Sequence, residues 1–405
     1  MNKNLVLFPP LPNRIKVIFT KSYWNFLKIS AIYLERNLDV KFADLLKTSC
    51  GIHNPVFLDS ASSAIVLALN DIDLSKGDEV IIPSFVCKAV IHSVLVAGGT
   101  PVFADIGKDF NLSSDSVKKA ISSKTKAVIA VHQYGKLCRI DEIKKLCVDK
   151  KIFLIEDAAV PIGLKHKNLP VGSFGDYSVF SFNMGKTIVS MGGGILVSNK
   201  KEFNLPQLRN KLAIKKYVFF LTNIYFKKFF VVFFIPLSKL GIIKREENIK
   251  ELYSKTNLQK ISIKPSKMHR LQKALTVFQL RNLENINEST QLIAKTYIQE
   301  LKTVKQIELP NSSGNQFTIF PIKTNDRYSL SVFLSKHGIE TQWTFYPLHL
   351  QNKFSKYSKK SVSLKNTELL WKQELSLPIG PTMTKKQAEY VCKKIKEFYT
   401  DEKRV

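Results

Sequence analysis

Between residues 55 and 200, short apolar runs alternate with segments of helical periodicity. Strands are predicted at PVFLDS, DEVIIPS, TPVFADI, TKAVIAVHQYG, KIFLIED, DYSVFSF and GGGILVSN, and helices between the first five of these runs. Apolar strands that alternate with helices are typical of a mostly parallel sheet covered on both faces. This part of the chain is therefore predicted to be an α/β domain that binds ligands beyond the carboxyl ends of its strands.

The rest of the chain has a different pattern. Residues 268–302 are predicted to form one long amphipathic helix, and the runs after it predict a smaller α+β domain. We therefore divide the chain into an N-terminal segment (1–54), a large α/β domain (55–204), a hydrophobic basic block (205–267) and a C-terminal part (268–405).

Residues 217–243 within the basic block are dense in Phe, Val and Ile. Lys227 and Lys228 lie in the middle and Pro236 interrupts the segment, which leaves uncharged runs of about ten residues where a membrane span needs about 20. Aromatic surface edged by lysine is typical of a hairpin that lies in a membrane interface. A buried subdomain or subunit contact, and a true span, stay open as alternatives.

The chain carries a formal net charge of +29, and its sequence pI is about 9.7. This excess indicates an anionic partner, such as an anionic membrane surface or a phosphorylated substrate, or a lysine-rich composition with no specific target. Nucleic acid is not expected as a partner, because no helix-turn-helix, zinc finger or RNA-binding motif is evident.

Five scattered cysteines include no CxxC pair, so we expect neither a metal site nor a disulfide framework. The N-terminus lacks the apolar core and cleavage site of a signal peptide. Both observations favour the cytoplasm, with a peripheral contact at the inner face of the membrane through 217–243 left open.

Polar side chains stand at the ends of several predicted strands. Asp157 ends KIFLIED, Ser181 ends DYSVFS, and Lys186 follows shortly before three consecutive glycines. Ser62 and Ser63 open a helix whose free amide groups form an anion site. A lone lysine, a buried carboxylate and a phosphate cradle together suit pyridoxal 5'-phosphate (PLP), which needs a neutral amine, a partner for its ring nitrogen and a phosphate site.

The motifs around these residues resemble those of the DegT/DnrJ/StrS family of sugar-nucleotide aminotransferases. GDEVIIPSF, AGGTPVFADI, KAVIAVHQYG, FLIEDAA, VGSFGDYSVFSF, MGKTIVSMGGGILVSN, FYPLHLQ and LSLPIGP occur in the family's order, over roughly residues 50–200 and 265–400. The resemblance implies fold type I of the PLP-dependent transferases, which is aspartate-aminotransferase-like. That fold has a large domain with a mostly parallel seven-stranded sheet and a smaller α+β C-terminal domain.

By position, the resemblance implies that Lys186 is the Schiff-base lysine, Asp157 the partner of the pyridinium nitrogen and Ser181 a phosphate ligand. Ser62 and Ser63 occupy the small-residue turn that supplies further phosphate contacts. The implied reaction moves an amino group from glutamate or glutamine to a nucleotide-linked keto-sugar for surface polysaccharide or lipopolysaccharide biosynthesis. The implied assembly is a homodimer with its sites at the subunit interface.

Four positions depart from the family pattern. Cys87 stands where the family has an aromatic ring that stacks on the cofactor, and Val160 where it has a glutamine near the cofactor hydroxyl. Gly192 replaces an acidic residue, and Pro265 an asparagine that reaches the partner subunit's phosphate. Together with the hydrophobic segment, read as an insert, they suggest a divergent branch that acts at the membrane or on a lipid-linked sugar.

His132 and His349 are candidates for substrate contacts, with a structural role as the alternative for each. Two other functions stay open for the chain: a degenerate non-catalytic sensor or membrane-associated scaffold, and a PLP-dependent sugar dehydratase. The presence of Lys186 counts against the dehydratase, because relatives with that activity carry histidine in its place.

Overall fold

The computed structural model describes residues 23–198, 203–207, 262–311, 315–359 and 361–400. The hydrophobic segment 217–243 lies outside the described residues, as does most of the block that contains it. Within the described part, no helix is both long and apolar enough to cross a membrane.

A seven-stranded sheet forms the centre of the large domain, with the strand order β1-β9-β8-β5-β4-β2-β3. Its strands are β1 (Pro55–Leu58), β2 (Glu79–Pro83), β3 (Thr100–Ala104), β4 (Thr125–Val131), β5 (Phe153–Asp157), β8 (Tyr177–Ser181) and β9 (Gly194–Val197). Only β9 runs antiparallel to its neighbours. All seven predicted apolar runs are strands of this one sheet, so the predicted fold class is confirmed.

Helices cover both faces of the sheet. The strands are therefore buried on both sides, and β2, for example, is buried along its whole length. Within the described residues, the large domain has the helices Tyr23–Leu34, Leu38–Cys50, Ala61–Asp71, Lys88–Val96, Ser114–Ala120, Ile140–Lys150 and Arg270–Leu280. A short hairpin of β6 (Lys165–His166) and β7 (Leu169–Pro170) lies between β5 and β8.

The predicted single helix over 268–302 is two helices, Arg270–Leu280 and Leu283–Leu301. The chain leaves helical geometry at Asn282, whose φ is −121°. The second helix packs in both cores: Leu283 and Ile286 join Leu280 in the core of the large domain, whereas Tyr297 packs in that of the small domain. The second helix therefore begins in the large domain and continues into the small one.

The small domain contains a three-stranded antiparallel sheet in the order β10-β11-β12. The strands are β10 (Ile307–Glu308), β11 (Phe320–Thr324) and β12 (Glu374–Leu377), and the remaining helices are Leu283–Leu301, Arg327–Lys336, Lys365–Gln373 and Lys385–Thr400. The strand-like run IETQWTFY forms isolated bridges at Ile339 and Gln342 and no strand, and Gln342 pairs with Ser376. The expected α+β character of the C-terminal part is thus present.

Asp105, just after β3, joins the two domains. Its carboxylate accepts hydrogen bonds from the Thr367 amide (2.8 Å), the Thr367 hydroxyl (2.7 Å) and the Asn366 amide (3.1 Å). These amides open the helix Lys365–Gln373, whose own N-cap residue, Leu364, makes no side-chain capping bond. A carboxylate of one domain therefore caps a helix of the other.

Replacement of this cap should weaken the contact between the domains. Asp105→Asn removes the charge and one acceptor oxygen, so we expect the free energy of unfolding to fall by about 1–2 kcal/mol, measured by urea titration. Asp149→Asn, at an exposed position, is the control and should leave the unfolding midpoint unchanged. Equal stability of Asp105→Asn and the wild type would contradict the capping interpretation.

Glu374, at the start of β12, is a fully buried carboxyl group. Its oxygens accept hydrogen bonds from the Thr344 amide (3.0 Å), the Thr344 hydroxyl (3.3 Å) and the Ser376 hydroxyl. Burial raises the pKa of Glu374 to about 7, although these donors and the Arg327 guanidinium act in the opposite direction. The folded protein therefore binds a proton here that the unfolded chain releases near pH 4.5.

This raised pKa predicts a pH dependence of stability. Since the folded-state pKa is the higher one, the contribution of Glu374 is fully present below pH 4.5 and is lost as the pH rises through about 7. Glu374→Gln stays neutral, so its free energy of unfolding relative to the wild type should rise by up to about 3 kcal/mol across this window. Urea midpoints across that range measure it, with exposed Glu288→Gln as the control. Parallel pH profiles for wild type and Glu374→Gln would refute it.

Candidate active site

Asp157 and Ser181 end neighbouring parallel strands, β5 and β8, and Lys186 lies in the turn that follows β8. Burial raises the pKa of the Asp157 carboxyl, and the Lys186 ammonium is the strongest of the groups that act against this effect. One oxygen of Asp157 also accepts a hydrogen bond from the Ala159 amide at 3.0 Å. The structure thus brings the predicted lysine and carboxylate together at the carboxyl end of the sheet.

The turn that carries Lys186 is closed by a hydrogen bond from the Lys186 amide to the Asn183 carbonyl at 3.3 Å. Gly185 has a φ of +84°, a conformation that glycine adopts without strain. Thr187 donates its hydroxyl to the Val160 carbonyl at 2.9 Å. These contacts tie the half-buried lysine to the segment that follows Asp157.

Gln279 anchors the loop between Lys186 and β9, a role that the sequence did not reveal. Its side-chain oxygen accepts from the Val189 amide (3.0 Å), and its side-chain nitrogen donates to the Val189 carbonyl (2.6 Å). Gln279 is buried in the helix Arg270–Leu280, 90 positions away from Val189 along the chain. The only sequence signal was a polar residue on the apolar face of a predicted helix.

The predicted phosphate cradle lies at the start of the helix Ala61–Asp71. Ser60 caps this helix by accepting from the Ser63 amide at 3.1 Å, and its hydroxyl lies 3.0 Å from that of Ser63. Ser63 is buried, whereas Ser62 is half-buried. Ser60 thus occupies the Ser63 amide, and the first-turn amides that precede Ser63 are the ones suited to bind an anion.

Gly194 brings this helix against the sheet. It pairs with Ser181 across β8 and β9, and a Cβ atom added to it would lie 2.5 Å from the Ala61 nitrogen and 2.6 Å from the Ser60 carbonyl carbon. Ser181 and the helix start therefore lie on either side of a position that tolerates no side chain. The donor set, with hydroxyls and amides on one side and Lys186 with Asp157 nearby, fits the phosphate, aldehyde and ring nitrogen of PLP.

The four positions that depart from the family pattern lie outside the helices and strands. Cys87 is exposed and precedes the helix Lys88–Val96, and Val160 is half-buried beside the turn that carries Lys186. Gly192 accepts a hydrogen bond from the Ser190 hydroxyl at 2.7 Å through its carbonyl. Pro265 is half-buried and precedes Ser266, whose carbonyl accepts from the Asp59 amide at 2.9 Å.

The two candidate histidines both have protein partners at both ring nitrogens. His132 Nε2 lies 3.1 Å from a Glu156 oxygen, and its Nδ1 accepts from the Cys138 amide at 3.1 Å. His349 Nδ1 lies 2.6 Å from the Ser84 hydroxyl and its Nε2 lies 3.4 Å from Glu368. These contacts favour the structural alternative for each histidine.

Comparison with known proteins identifies the family. The sequence model of the DegT/DnrJ/EryC1/StrS aminotransferase family matches residues 30–396. The chain belongs to this family. It is 28% identical over 376 residues to a GDP-perosamine synthase of Vibrio cholerae, with 91% of each chain covered. It is also 26% identical to a dTDP-3-amino-3,6-dideoxy-alpha-D-galactopyranose transaminase of Aneurinibacillus thermoaerophilus, with 86% of each chain covered.

The fold has close counterparts among solved structures. A crystal structure of DesV from S. venezuelae, in complex with a ketimine intermediate, superimposes with a TM-score of 0.75 at 24% identity, covering 98% of this chain and 99% of that one. A second counterpart is NtdA from Bacillus subtilis with bound cofactor PMP (TM-score 0.71, 24% identity, 97% and 86% covered). The architecture is fold type I of the PLP-dependent transferases, as predicted.

The family membership confirms three predictions: the chain is an enzyme, it is an aminotransferase, and its cofactor is PLP.

The comparisons do not support a hydrophobic insert relative to the family, because the alignment with the Vibrio relative covers 91% of each chain. Within the described residues, no group of three His, Cys, Asp or Glu side chains is arranged to hold a metal ion.

The close approach at Gly194 makes a prediction about the cofactor. Gly194→Ala forces a methyl group against backbone atoms that cannot swing aside, so PLP should bind at least about tenfold more weakly in a titration of its visible absorption. Gly107→Ala is the control, because its methyl group meets first the movable Asp109 carboxylate. Unchanged affinity of Gly194→Ala would contradict the proposed cradle.

Proposed function

We propose that this enzyme moves an amino group from glutamate or glutamine to a keto-sugar carried on a nucleotide. The observation that carries the proposal is the pairing of Lys186 with buried Asp157 beside the Gly194 cradle. This arrangement occurs in a chain whose relatives include a GDP-perosamine synthase and a dTDP-amino-sugar transaminase. Biosynthesis of a surface polysaccharide is the corresponding cellular role.

When bound, PLP supplies an electron sink for the transfer. Lys186 would hold the cofactor aldehyde through its Nζ, and once released from it the Nζ amine would serve as the general base that moves a proton during the transfer. The Asp157 carboxylate would hold a proton at the ring nitrogen. In the protein itself, burial raises the pKa of Asp157 and Lys186 acts most strongly against this effect. Ser181, Ser62 and the first-turn amides that precede Ser63 would bind the phosphate, since the Ser63 amide and hydroxyl both contact Ser60.

The remaining assignments concern positions around the cofactor. Cys87 and Val160 line the cofactor site in place of an aromatic ring and a glutamine, so they offer less stacking area and one hydrogen bond fewer. We also propose a homodimer in the cytoplasm. Peripheral contact with the membrane through 217–243 is the corresponding proposal for the segment outside the described residues.

The dehydratase and the non-catalytic scaffold are the competing functions. A dehydratase of this fold would dispense with the lysine amine, which this chain retains at position 186. A scaffold would have no need of the buried Asp157 beside that lysine. The site therefore favours the aminotransferase over both.

A colour test addresses cofactor attachment. The purified protein should be yellow, and Lys186→Ala should abolish the covalent absorption band because no other amine replaces Nζ at that point. Lys165→Ala, at an exposed position, is the matched control and should remain yellow. A colourless wild-type protein that takes up no added PLP would disprove the assignment.

A substrate test addresses the reaction. Incubation with PLP, glutamate and a panel of nucleotide-linked keto-sugars should produce 2-oxoglutarate with one class of acceptor, and Lys186→Ala should produce none. Yellow protein that makes 2-oxoglutarate with no nucleotide-linked acceptor would overturn the proposed substrate class and leave cofactor binding intact. Lipid-linked keto-sugars then form the second panel.

A further inference from the structure

Glu156 is a fully buried carboxylate next to Asp157 that has no part in the reaction described above. It is surrounded by hydrogen-bond donors within one short stretch of chain and one neighbouring strand. Its oxygens accept from His132 Nε2 (3.1 Å), the amides of Gly172 (2.7 Å), Phe174 (2.8 Å) and Gly175 (3.2 Å), and the Ser178 hydroxyl (3.2 Å).

These donors keep Glu156 charged. Burial alone raises its pKa, but the hydrogen bond from His132 and those from the backbone amides outweigh burial and lower the pKa. A buried carboxylate with five donors has little freedom to move, because each displacement breaks a charge-assisted hydrogen bond.

The hydrogen bonds of His132 determine which ring nitrogen carries the proton. Its Nδ1 accepts from the Cys138 amide, so Nε2 carries the proton that is donated to Glu156. The backbone amide of His132 donates to the Asp157 carbonyl at 3.1 Å. His132 is therefore attached both to Glu156 and to the residue that carries the proposed cofactor contact.

The pair lies behind Asp157. Consecutive residues of a strand point to opposite faces of the sheet, so Glu156 faces away from the side on which Asp157 meets Lys186. His132 follows β4 and bonds to Glu156, which places its ring on the same far side. Asp157 is thus fixed by two hydrogen bonds: its backbone carbonyl accepts from the His132 amide, and its carboxylate accepts from the Ala159 amide.

We propose that the Glu156–His132 pair is a positioning device for Asp157, which fixes the carboxylate at the ring nitrogen of PLP. The proposal rests on the proposed function, since it presumes that Asp157 pairs with that nitrogen. Without the pair, the end of β5 moves and the carboxylate holds the ring proton less firmly. Less positive charge then remains near Lys186 Nζ, and the bound lysine nitrogen keeps its own proton to higher pH.

The test uses two replacements of His132 that separate its two ring nitrogens. His132→Gln places a side-chain N–H where Nε2 donates to Glu156, whereas His132→Asn can accept from the Cys138 amide but is too short to reach Glu156. Glu156→Gln removes the charge from the other side. Glu374→Gln is the matched control, since Glu374 is an equally buried, hydrogen-bonded carboxyl group of the small domain.

The main readout is the pH midpoint of the visible absorption band of the PLP-loaded protein, and the second is the dissociation constant of PLP. In His132→Asn and Glu156→Gln we expect the midpoint to rise by about one pH unit and PLP to bind about tenfold more weakly. His132→Gln and Glu374→Gln should remain close to the wild type in both.

The outcomes separate this proposal from the proposed function. If the wild type binds no PLP, the proposed function fails. If the wild type binds PLP but His132→Asn titrates like the wild type, the positioning role is overturned. An equal shift in Glu374→Gln or in His132→Gln would also overturn it, since it would reflect a general loss of packing. If Glu156→Gln fails to fold, the comparison of the two His132 variants decides.

Discussion

Two consecutive carboxylates, Glu156 and Asp157, end the central strand of the large sheet, and both are buried. An isolated ionised carboxylate in such a place is strongly unfavourable, so the surrounding chain must supply donors or a cation. Around Glu156 it supplies backbone amides and His132, and near Asp157 it supplies Lys186. The loops at this edge of the sheet supply the hydrogen-bond donors and the cation that these two buried carboxyl groups need.

The second constraint on the structure is the attachment of the small domain to the large one. Asp105 caps a helix of the small domain, and Ser84 binds His349 in the loop that follows Tyr346. Both large-domain residues come directly after strands of the sheet. The small domain is therefore attached at the edge of the sheet that carries the candidate site.

The sequence predicts the sheet well because burial on both faces leaves an apolar run for each strand. It also indicates Lys186, Asp157 and Ser181, since polar residues at the ends of such runs are conspicuous. It could not indicate that Gln279 holds the loop near Lys186, or that His132 faces Glu156, because these contacts join residues far apart along the chain. The break at Asn282 was missed because apolar periodicity continues on both sides of it.

The contact of Gly194 with Ala61 has a consequence for how such an enzyme can change over time. The proposed phosphate cradle depends on backbone amides and on the missing side chain at Gly194, and less on the identity of the side chains around it. Side chains that we propose at the edge of the cofactor, such as Cys87 and Val160, can then vary while the cofactor is retained. A site built in this way allows substrate preference to change during evolution while the ability to bind the cofactor is kept.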